Sequence, residues 1–593
     1  MAQLRTVNDV FLLATGRKRP EMVRYRSQGH WINISCREFH LRVASVAAVL
    51  REWGIQQGER IAILSENRPE WAIVDFACLA RGMVDVPIYP TLTAEQAGFI
   101  LRDSGARIGF VSTAEQFRKL QSIQPETALE RIVVMDEIHG IGALAMSSLM
   151  NGTADLAEFE AKARAIDPND LATIIYTSGT TGTPKGAMLT HGNLASNIQT
   201  SLGRFELTGD DRSISCLPLS HITARHVDYA MFFHGVSVAY CAIEELPQVF
   251  REIRPTFVAG VPRMYEKARQ QAELKAGNGL KRKIFDWAIR TGRSQLNEIA
   301  AGRTPTSASW RLADKLVFSK IKAGFGGALL APVSGGAPLG RDLAEWFASI
   351  GMRIYEGYGL TETSPVIAVN SPRAFKIGTV GKPLPNVECR IAEDGELLVR
   401  GPSVFEGYWH MPQETAAAIQ PDGWFHTGDI GGIDEDGFLS ITDRKKDLLK
   451  TSGGKFIAPQ PIENALKTNP LIAYACVIGD RRKFPAVILA PNFAPLEEWA
   501  EAHQVAYSSH LELVQRPRVR ALYQEIVDQL NATLAQFEKL KKILLVPDEF
   551  SIATGEITPT LKLRRRVVEQ KYRAEIEELY ASAVAPESLR VSG

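Results

Sequence analysis

A buried strand that leads into a glycine- and threonine-rich loop places the strongest constraint on how this chain folds. Residues 171–176, Leu-Ala-Thr-Ile-Ile-Tyr, have the β-branched pattern of a buried strand, and residues 187–190 predict a second one. Between them lie three glycines, four threonines, a serine and Lys185. Glycines let a backbone approach a ligand, hydroxyls donate neutral hydrogen bonds, and a lysine suits phosphate. The loop is therefore either a phosphate-binding turn or a plain polar connection.

The loop does not have the spacing of a P-loop nucleotidase. That motif requires Gly-x-x-x-x-Gly-Lys-Ser/Thr. Here Pro184 precedes Lys185 and Gly186 follows it. If the loop binds phosphate, it belongs to another class of nucleotide site.

Strand-like and helix-like segments alternate over the first 170 residues. Residues 60–64 and 83–87 predict strands, and the helical pattern of residues 70–81 lies between them. Strands that alternate with helices are typical of parallel sheets with crossover connections. We therefore predict an α/β fold for this region.

Two later strands are expected to end at one rim. Residues 329–334 and 353–356 predict strands, joined by a helix over 341–350. Such βαβ units are right-handed and place both strand ends on the same edge, where open α/β sheets bind ligands. The glycine pair at 335–336 and the segment 358–363 should therefore be neighbours, with the glycine-rich loop above them.

The pattern changes after residue 370. Short strands separated by Asp and Gly turns predict a small antiparallel barrel, and the charged run 443–447 predicts either a solvated turn or a hinge. A smaller α+β pattern follows. The predicted architecture is α/β, with a large N-terminal domain of parallel-type sheets with helices plus the small barrel (1–442), a hinge (443–447) and a mobile α+β C-terminal domain (448–593).

Composition narrows the classes of partner and location. The 593 residues exceed one core, and a net charge of +1 gives no overall attraction to nucleic acid. The six cysteines form no C-x-x-C pair, which indicates free thiols in a reducing cytoplasm. No signal peptide is recognisable, and the most apolar window, 227–243, is too polar to span a bilayer. We expect a cytoplasmic protein; peripheral contact with the membrane and the oligomeric state stay open.

Several motifs occur in the order and spacing of one known family. They are Tyr-Gly-Leu-Thr-Glu-Thr at 358–363, Thr-Gly-Asp at 427–429, Asp-Arg at 443–444 and Thr-Pro-Thr-Leu-Lys at 558–562. With the 177–186 loop, they resemble the adenylate-forming enzymes over about residues 30–575. The chain is most similar to bacterial long-chain fatty-acid–CoA ligases, through Leu-Pro-Leu-Ser-His at 217–221 and Val-Pro-Arg-Met-Tyr-Glu-Lys at 261–267.

The resemblance implies a reaction in two halves, with ATP, Mg²⁺ and coenzyme A. A fatty-acid carboxylate attacks the α-phosphorus of ATP, which releases pyrophosphate, and coenzyme A then displaces AMP. It also implies a role for each matching residue. The β- and γ-phosphates would contact Thr177, Ser178, Gly179, Thr180, Thr181, Gly182 and Lys185. Adenine would lie between Gly335, Gly336 and Tyr358, and the ribose would bind Asp429 with Arg444 assisting.

The reacting groups would meet a second set of residues. Thr361 would contact the α-phosphate, and Glu362 would bind Mg²⁺. Lys562 would bridge the carboxylate and the α-phosphate in the first half-reaction; rotation of the C-terminal domain would then bring Gly453 and Gly454 to the pantetheine channel.

His221 is a further candidate catalytic residue, and it is either part of the acyl site or a core histidine with satisfied hydrogen bonds. Many long-chain relatives carry glutamate before the arginine that follows this histidine, whereas this chain has Ala224 before Arg225.

Two other functions stay open. The chain could adenylate another acid, aryl or medium-chain, or use a carrier-protein thiol. It could also be a non-catalytic nucleotide-binding protein, because fold alone does not determine function.

Overall fold

Strands and helices alternate along the N-terminal region, as predicted. The computed structural model describes residues 3–138, 142–177, 184–452, 455–551, 553–558 and 563–581. The strands up to residue 408 are β1 (Val23–Ser27), β2 (His30–Ile34), β3 (Arg60–Leu64), β4 (Val84–Ile88), β5 (Ile108–Val111), β6 (Arg131–Val134), β7 (Leu144–Ala145), β8 (Leu171–Thr177), β9 (Lys185–Thr190), β10 (Arg212–Ser215), β11 (Ser237–Tyr240), β12 (Phe257–Gly260), β13 (Ala331–Ser334), β14 (Tyr355–Gly359), β15 (Val366–Val369), β16 (Lys382–Pro383), β17 (Glu388–Ile391), β18 (Glu396–Arg400) and β19 (Gly407–Tyr408).

The helices of this region fall between and beside these strands. They are α1 (Val7–Thr15), α2 (Cys36–Glu52), α3 (Pro69–Ala80), α4 (Ala94–Ser104), α5 (Ala114–Ile123), α6 (Met146–Met150), α7 (Leu156–Ala165), α8 (His191–Ser201), α9 (Ile222–His234), α10 (Leu246–Ile253), α11 (Pro262–Ala276), α12 (Leu280–Arg293), α13 (Leu296–Ala300), α14 (Ala308–Ala313), α15 (Ser319–Gly324), α16 (Arg341–Ser349) and α17 (Pro412–Ala418). A π-helical turn joins α14 to α15, and a 3₁₀ turn spans Thr361–Thr363.

Two large sheets, parallel in their centres, carry this region. One has the strand order β16-β15-β14-β13-β12-β10-β11-β1-β2, and the other β19-β9-β8-β4-β3-β5-β6-β7. The central pairs of both are parallel, and antiparallel strands such as β9, β15 and β19 extend them toward one side. The expected parallel-type sheets are therefore confirmed.

Helices cover the sheets in layers. The core cluster between the sheets includes residues of α1, α2, α3, α8 and α9. The outer face of the nine-stranded sheet packs against α10–α16, and that of the eight-stranded sheet against α4 and α5. Because α8 and α9 lie inside, side chains on both can face a ligand bound at the edge of the nine-stranded sheet.

The βαβ unit predicted for residues 329–356 is present. Strands β13 and β14 are adjacent and parallel, with Val333 opposite Tyr355, and α16 connects them. However, β14 continues to Gly359, whereas the sequence placed Tyr358 in the loop beyond it. A Cβ atom at Gly359 would lie 1.7 Å from the carbonyl oxygen of Pro365, so the glycine that suggested a loop instead permits close crossing with β15.

A four-stranded antiparallel sheet follows the large sheets, where the small barrel was predicted. Its order is β17-β18-β20-β21, with β20 (Phe425–Ile433) and β21 (Leu439–Arg444) forming a hairpin. Strand β21 extends two residues into the segment 443–447, which was predicted as a turn or a hinge. This extension places Arg444 directly opposite Asp429.

The C-terminal region is a smaller α+β unit. Its elements are β22 (Leu449–Lys450), β23 (Phe456–Ile457), α18 (Pro459–Lys467), β24 (Ile472–Ile478), β25 (Ala486–Pro491), α19 (Phe493–Ala502), α20 (His510–Gln515), α21 (Pro517–Asn531), β26 (Ile543–Leu545), α22 (Arg565–Lys571) and α23 (Arg573–Ala581). Apolar clusters cover both faces of the β24-β25-β26 sheet. The α/β architecture with a smaller α+β unit is thus confirmed, while the domain limits and the hinge stay predictions.

Asp443 connects the two regions. Its Oδ2 accepts a hydrogen bond from the Gln460 backbone N–H in the first turn of α18, at 3.1 Å. Burial raises the pKa of the Asp443 carboxyl to about 6. A buried carboxylate at the N-terminus of a helix stabilises this arrangement of strand and helix.

The state of the cysteines and the lengths of the helices relate to the predicted cellular location. All six cysteines lie in described residues and are free. Within those same residues, none of the helices has both the length and the apolar character needed to span a bilayer.

Candidate active site

The rim formed by β13 and β14 brings three predicted residues together. Gly335 directly follows β13, and its N–H donates to the Gly260 carbonyl at 3.1 Å. A Cβ atom at Gly335 would lie 3.6 Å from the Gly357 carbonyl oxygen, which places this glycine turn beside the strand that carries Tyr358. Gly336 has φ +79°, a conformation that glycine adopts without strain. The flat backbone and the tyrosine ring lie where the sequence predicted the adenine site.

Tyr358, Asp429 and Arg444 form a connected polar group. The Tyr358 hydroxyl donates to Asp429 Oδ2 at 2.6 Å, and Arg444 Nε lies 3.3 Å from Asp429 Oδ1. Asp429 is buried and its N–H donates to Thr427 Oγ1, so the carboxylate has a fixed orientation. The first of these contacts joins residues that are 71 positions apart in the sequence.

The electrostatics of this group follow from burial and the shared carboxylate. Burial raises the pKa of Tyr358, and the Asp429 carboxylate raises it further, so the phenol stays protonated and donates. Desolvation lowers the pKa of Arg444, but the charges of Asp429 and other nearby acidic groups outweigh it and leave the pKa above its usual value. The arrangement presents a neutral donor, a carboxylate and a permanent cation, as a ribose next to a phosphate requires.

A second group joins Lys185 to Glu362 through Tyr408. The Tyr408 hydroxyl donates to Glu362 Oε1 at 2.8 Å, and the Lys185 ammonium lies 5.1 Å from the centroid of the Tyr408 ring. Glu362 is buried in the 3₁₀ turn, and Thr361, the predicted α-phosphate contact, precedes it in the same turn. The negative charge of Glu362 also raises the pKa of Arg444, so both groups face one region.

Tyr408 was not predicted from the sequence. It lies on β19, which pairs antiparallel with β9 and places Tyr408 opposite Ala187. A hint was present, because residues 405–409 predict a short strand, but no local pattern shows which strand it joins. Pairing with β9 explains its contact with both Lys185 and Glu362.

Two asparagines of α8 hold these loops in place. Asn193 Nδ2 donates to the carbonyls of Pro402 and Val404, at 2.9 and 3.0 Å. One turn later, Asn197 Nδ2 donates to the Val366 carbonyl at 2.7 Å, and its Oδ1 accepts from the Val366 N–H at 3.2 Å. Helix α8 directly follows the β8-β9 hairpin, so it ties the hairpin to the Glu362 turn and to the segment that leads to Tyr408.

The described ends of the glycine-rich loop are paired across the β8-β9 hairpin. Thr177 lies opposite Lys185, and its Oγ1 donates to the Lys185 carbonyl at 3.4 Å. A Cβ atom at Gly186 would lie 2.7 Å from Ile174 Cγ2, so this glycine serves the packing of the hairpin. The other predicted residues of the loop, of the pantetheine channel and of the C-terminal tail lie outside the described residues: Ser178, Gly179, Thr180, Thr181, Gly182, Gly453, Gly454 and Lys562.

A largely apolar groove begins at the same rim. It lies between the nine-stranded sheet and helices α8 and α9. The sheet wall includes Gly335 and Gly336 of the predicted adenine site. Ile243 also lines the groove and is 40% exposed, so the groove opens to solvent there. The apolar lining suits a hydrocarbon chain.

His221 is the residue that directly precedes α9. It is half-buried, lines the groove, and its Nδ1 accepts a hydrogen bond from the Thr223 N–H at 3.1 Å. It thus borders the same groove as Gly335 and Gly336. Its role in catalysis stays a prediction.

Comparisons with known proteins agree over nearly the whole chain. Residues 13–409 match the model of the AMP-binding enzyme, and residues 446–584 match that of the AMP-binding enzyme C-terminal domain. The long-chain-fatty-acid–CoA ligase FadD15 of Mycobacterium bovis is 39% identical over 572 residues, 95% of each chain. The human long-chain-fatty-acid–CoA ligase 1 is 33% identical over 553 residues, 88% of this chain and 78% of the human one.

A solved structure supports the fold. The anthranilate CoA ligase AuaEII in complex with anthranoyl-AMP superposes with a TM-score of 0.73. The alignment covers 98% of this chain and 99% of that one, at 20% sequence identity. At this identity the likeness concerns the architecture.

Proposed function

Because this chain belongs to the AMP-binding enzyme family, we propose that it is a long-chain fatty-acid–CoA ligase. It joins a fatty acid to the AMP part of ATP, releases pyrophosphate, and passes the acyl group to coenzyme A with release of AMP. One observation carries the proposal: the glycine turn at 335–336 borders both the Tyr358–Asp429–Arg444 group and a long apolar groove. A nucleotide in the first and an acyl chain in the second would meet at the rim.

Each residue then contributes through position and charge. Asp429 orients the ribose hydroxyls, Tyr358 stacks on adenine, and Lys185 neutralises the outer phosphates. Thr361 contacts the α-phosphate, and Lys562 supplies a cation in the first half-reaction only. Such a reaction needs no covalent enzyme nucleophile, because positioning and charge neutralisation lower its barrier.

Magnesium fits the residues at the 3₁₀ turn. Glu362 is a buried carboxylate that accepts a hydrogen bond from Tyr408, and Mg²⁺ beside a nucleotide is usually held by one or two carboxylates and the substrate phosphates. Glu362 would supply the protein ligand. When bound, the ion would neutralise charge on the phosphates.

Replacing Tyr408 by phenylalanine is expected to raise the Mg²⁺ concentration for half-maximal pyrophosphate release about tenfold. The variant keeps the ring beneath Lys185 but removes the hydrogen bond that orients Glu362, and one charged hydrogen bond is worth about 1.5–3 kcal/mol. Magnesium titrations of activity and of ATP binding by calorimetry measure this. Tyr25→Phe, on β1, is the control; equal Mg²⁺ dependence in both variants would remove Tyr408 from this role.

An acid panel tests the function itself. ATP–pyrophosphate exchange is measured with long-chain, medium-chain and aryl acids, and AMP release is then measured with and without coenzyme A. We expect exchange with long-chain acids and AMP release that depends on coenzyme A. Preference for an aryl or medium-chain acid, or release only with a carrier protein, would support an alternative ligase. No exchange with any acid would indicate a non-catalytic nucleotide-binding protein.

Contact with the inner face of the membrane completes the proposal, with the cytoplasm as the location. Residues 262–324 contain 14 lysines and arginines against five acidic residues, in a chain with a net charge of +1. The helices of this segment also expose the apolar side chains Leu274, Leu280, Leu312 and Leu316. Basic helices with exposed leucines bind anionic lipid surfaces.

Vesicle flotation tests this contact. We expect binding to phosphatidylglycerol-containing vesicles that decreases with salt, and at least about fivefold weaker binding for Leu280→Glu. Leu511→Glu changes an equally apolar, exposed residue in the C-terminal region and is the control. Identical binding of both variants would exclude this surface.

A further inference from the structure

Part of the groove wall is polar, although a plain hydrocarbon chain makes no hydrogen bonds. Ser201, at the end of α8, and His226, on α9, both line the groove, and His226 Nε2 lies 2.8 Å from Ser201 Oγ. His226 is 1% exposed and Ser201 is fully buried. His226 lies five positions after His221, about 7.5 Å farther along the helix axis.

The pair retains unused hydrogen-bonding capacity. Within the described residues, His226 Nδ1 is buried without a hydrogen-bond partner. Ser334, at the end of β13, lines the same groove and has a buried Oγ that is likewise unpartnered. Buried polar atoms are nearly always satisfied, and an unmade hydrogen bond destabilises a protein, so two such atoms in one groove call for a partner.

The chemistry of these groups limits what that partner is. Burial lowers the pKa of His226 to about 3, so the ring is neutral at physiological pH. A neutral imidazole and a serine hydroxyl do not compensate a buried charge. A fatty acid with a second carboxylate on its hydrocarbon chain is therefore excluded as the partner. A hydroxyl group both donates and accepts, so it pairs with His226 Nδ1 in either tautomer.

We propose that the groove selects fatty acids that carry a hydroxyl group on the chain, with His226 as the residue that recognises it and Ser201 as the residue that orients His226. The proposal rests on the proposed function and refines its substrate class. The α9 wall carries it: Thr223, Ala224, His226 and Val227 all line the groove, at the i, i+1, i+3, i+4 spacing of one helix face. Ala224 has the smallest side chain of these four residues.

The test compares substituted acids of one length. Hexadecanoic acid, its monohydroxy isomers and the matching monomethyl isomers are assayed for kcat/KM of acyl-AMP formation by pyrophosphate release. Methyl and hydroxyl groups are similar in size, so their ratio at each position reports hydrogen bonding. We expect the hydroxyl form to be favoured about tenfold or more at one position, because a site built to pair a hydroxyl rejects analogues that lack it.

Variants identify the recognising residue. His226→Leu should reduce the hydroxyl-to-methyl ratio to about one, and Ser201→Ala should reduce it about threefold or more. Thr200→Ala should keep the ratio, because Thr200 Oγ1 bonds the Ser196 carbonyl at 2.9 Å and does not line the groove. Each ratio is internal to one variant, so general losses of activity cancel. If His226→Leu does not fold, Ser201→Ala decides.

The outcomes distinguish failure of the proposed hydroxyl preference from failure of the proposed ligase function. Turnover of hexadecanoic acid with equal kcat/KM for hydroxyl and methyl isomers at every position would overturn the proposal and leave the ligase function intact. A preference that survives in both groove variants would also overturn it. Failure with every acid would instead contradict the proposed function.

Discussion

Lys562→Ala is expected to slow acyl-AMP formation about 100- to 1,000-fold and to leave thioester formation from supplied acyl-AMP within about threefold of the unchanged protein. The lysine is proposed to supply a cation to the transition state in which carboxylate and α-phosphate meet. It has no such partner when coenzyme A attacks the acyl-AMP. Single-turnover assays of each half-reaction separate these steps.

The control for this experiment is Lys541→Ala, which removes another lysine of the C-terminal region. Lys541 is exposed, and its backbone N–H, which the substitution keeps, donates to the Pro485 carbonyl at 3.0 Å. We expect both half-reactions to be unchanged in it. If Lys562→Ala impaired the two half-reactions equally, the lysine would act in general binding or folding and its assignment would fail.

Asp429→Ala is expected to weaken AMP binding about 100- to 1,000-fold. The substitution removes a carboxylate proposed to accept from both ribose hydroxyls, and charged hydrogen bonds contribute about 1.5–3 kcal/mol each. It also leaves the Tyr358 hydroxyl and the Arg444 guanidinium without their shared partner. Calorimetric titration with AMP measures the loss directly.

A change in the same hairpin distinguishes this effect from general destabilisation. Asp436 lies in the turn between β20 and β21, is exposed, and pairs with Lys376 at 2.9 Å. Exposed ion pairs contribute little, so Asp436→Ala should keep both AMP affinity and the melting temperature. AMP affinity within about threefold of the unchanged protein in Asp429→Ala would show that the carboxylate does not bind the nucleotide.

The sequence predicted those parts of the fold and site whose signals are local. Alternating patterns indicated the parallel sheets, and the βαβ rule placed the glycine turn at 335–336 beside Tyr358. The partnership of Asp429 and Arg444 followed from motifs, although their direct pairing depends on two further residues of β21. Local patterns and chain order were sufficient for these features.

The features that the sequence did not predict depend on contacts between residues that are far apart in the chain. Tyr408 meets Glu362 from 46 residues away, because a two-residue strand joins the far side of the hairpin. Asn193 and Asn197 look like ordinary helical residues until the loops that they bind are known. The polar pair in the groove brings the end of α8 against α9, and a histidine in a helix carries no sign of such a neighbour.

One wall of the groove also forms part of the proposed adenine site, and the other wall does not. Gly335 and Gly336 belong to the sheet side, where an added side chain would alter the acid pocket and the adenine surface together. Thr223, Ala224 and Val227 belong to the helix side, which does not include the glycine turn that is proposed to contact adenine. Laboratory evolution toward new acids should therefore accumulate substitutions on α9 and spare the glycine turn. Substitutions on the helix would change the selectivity for the acid without weakening the binding of ATP.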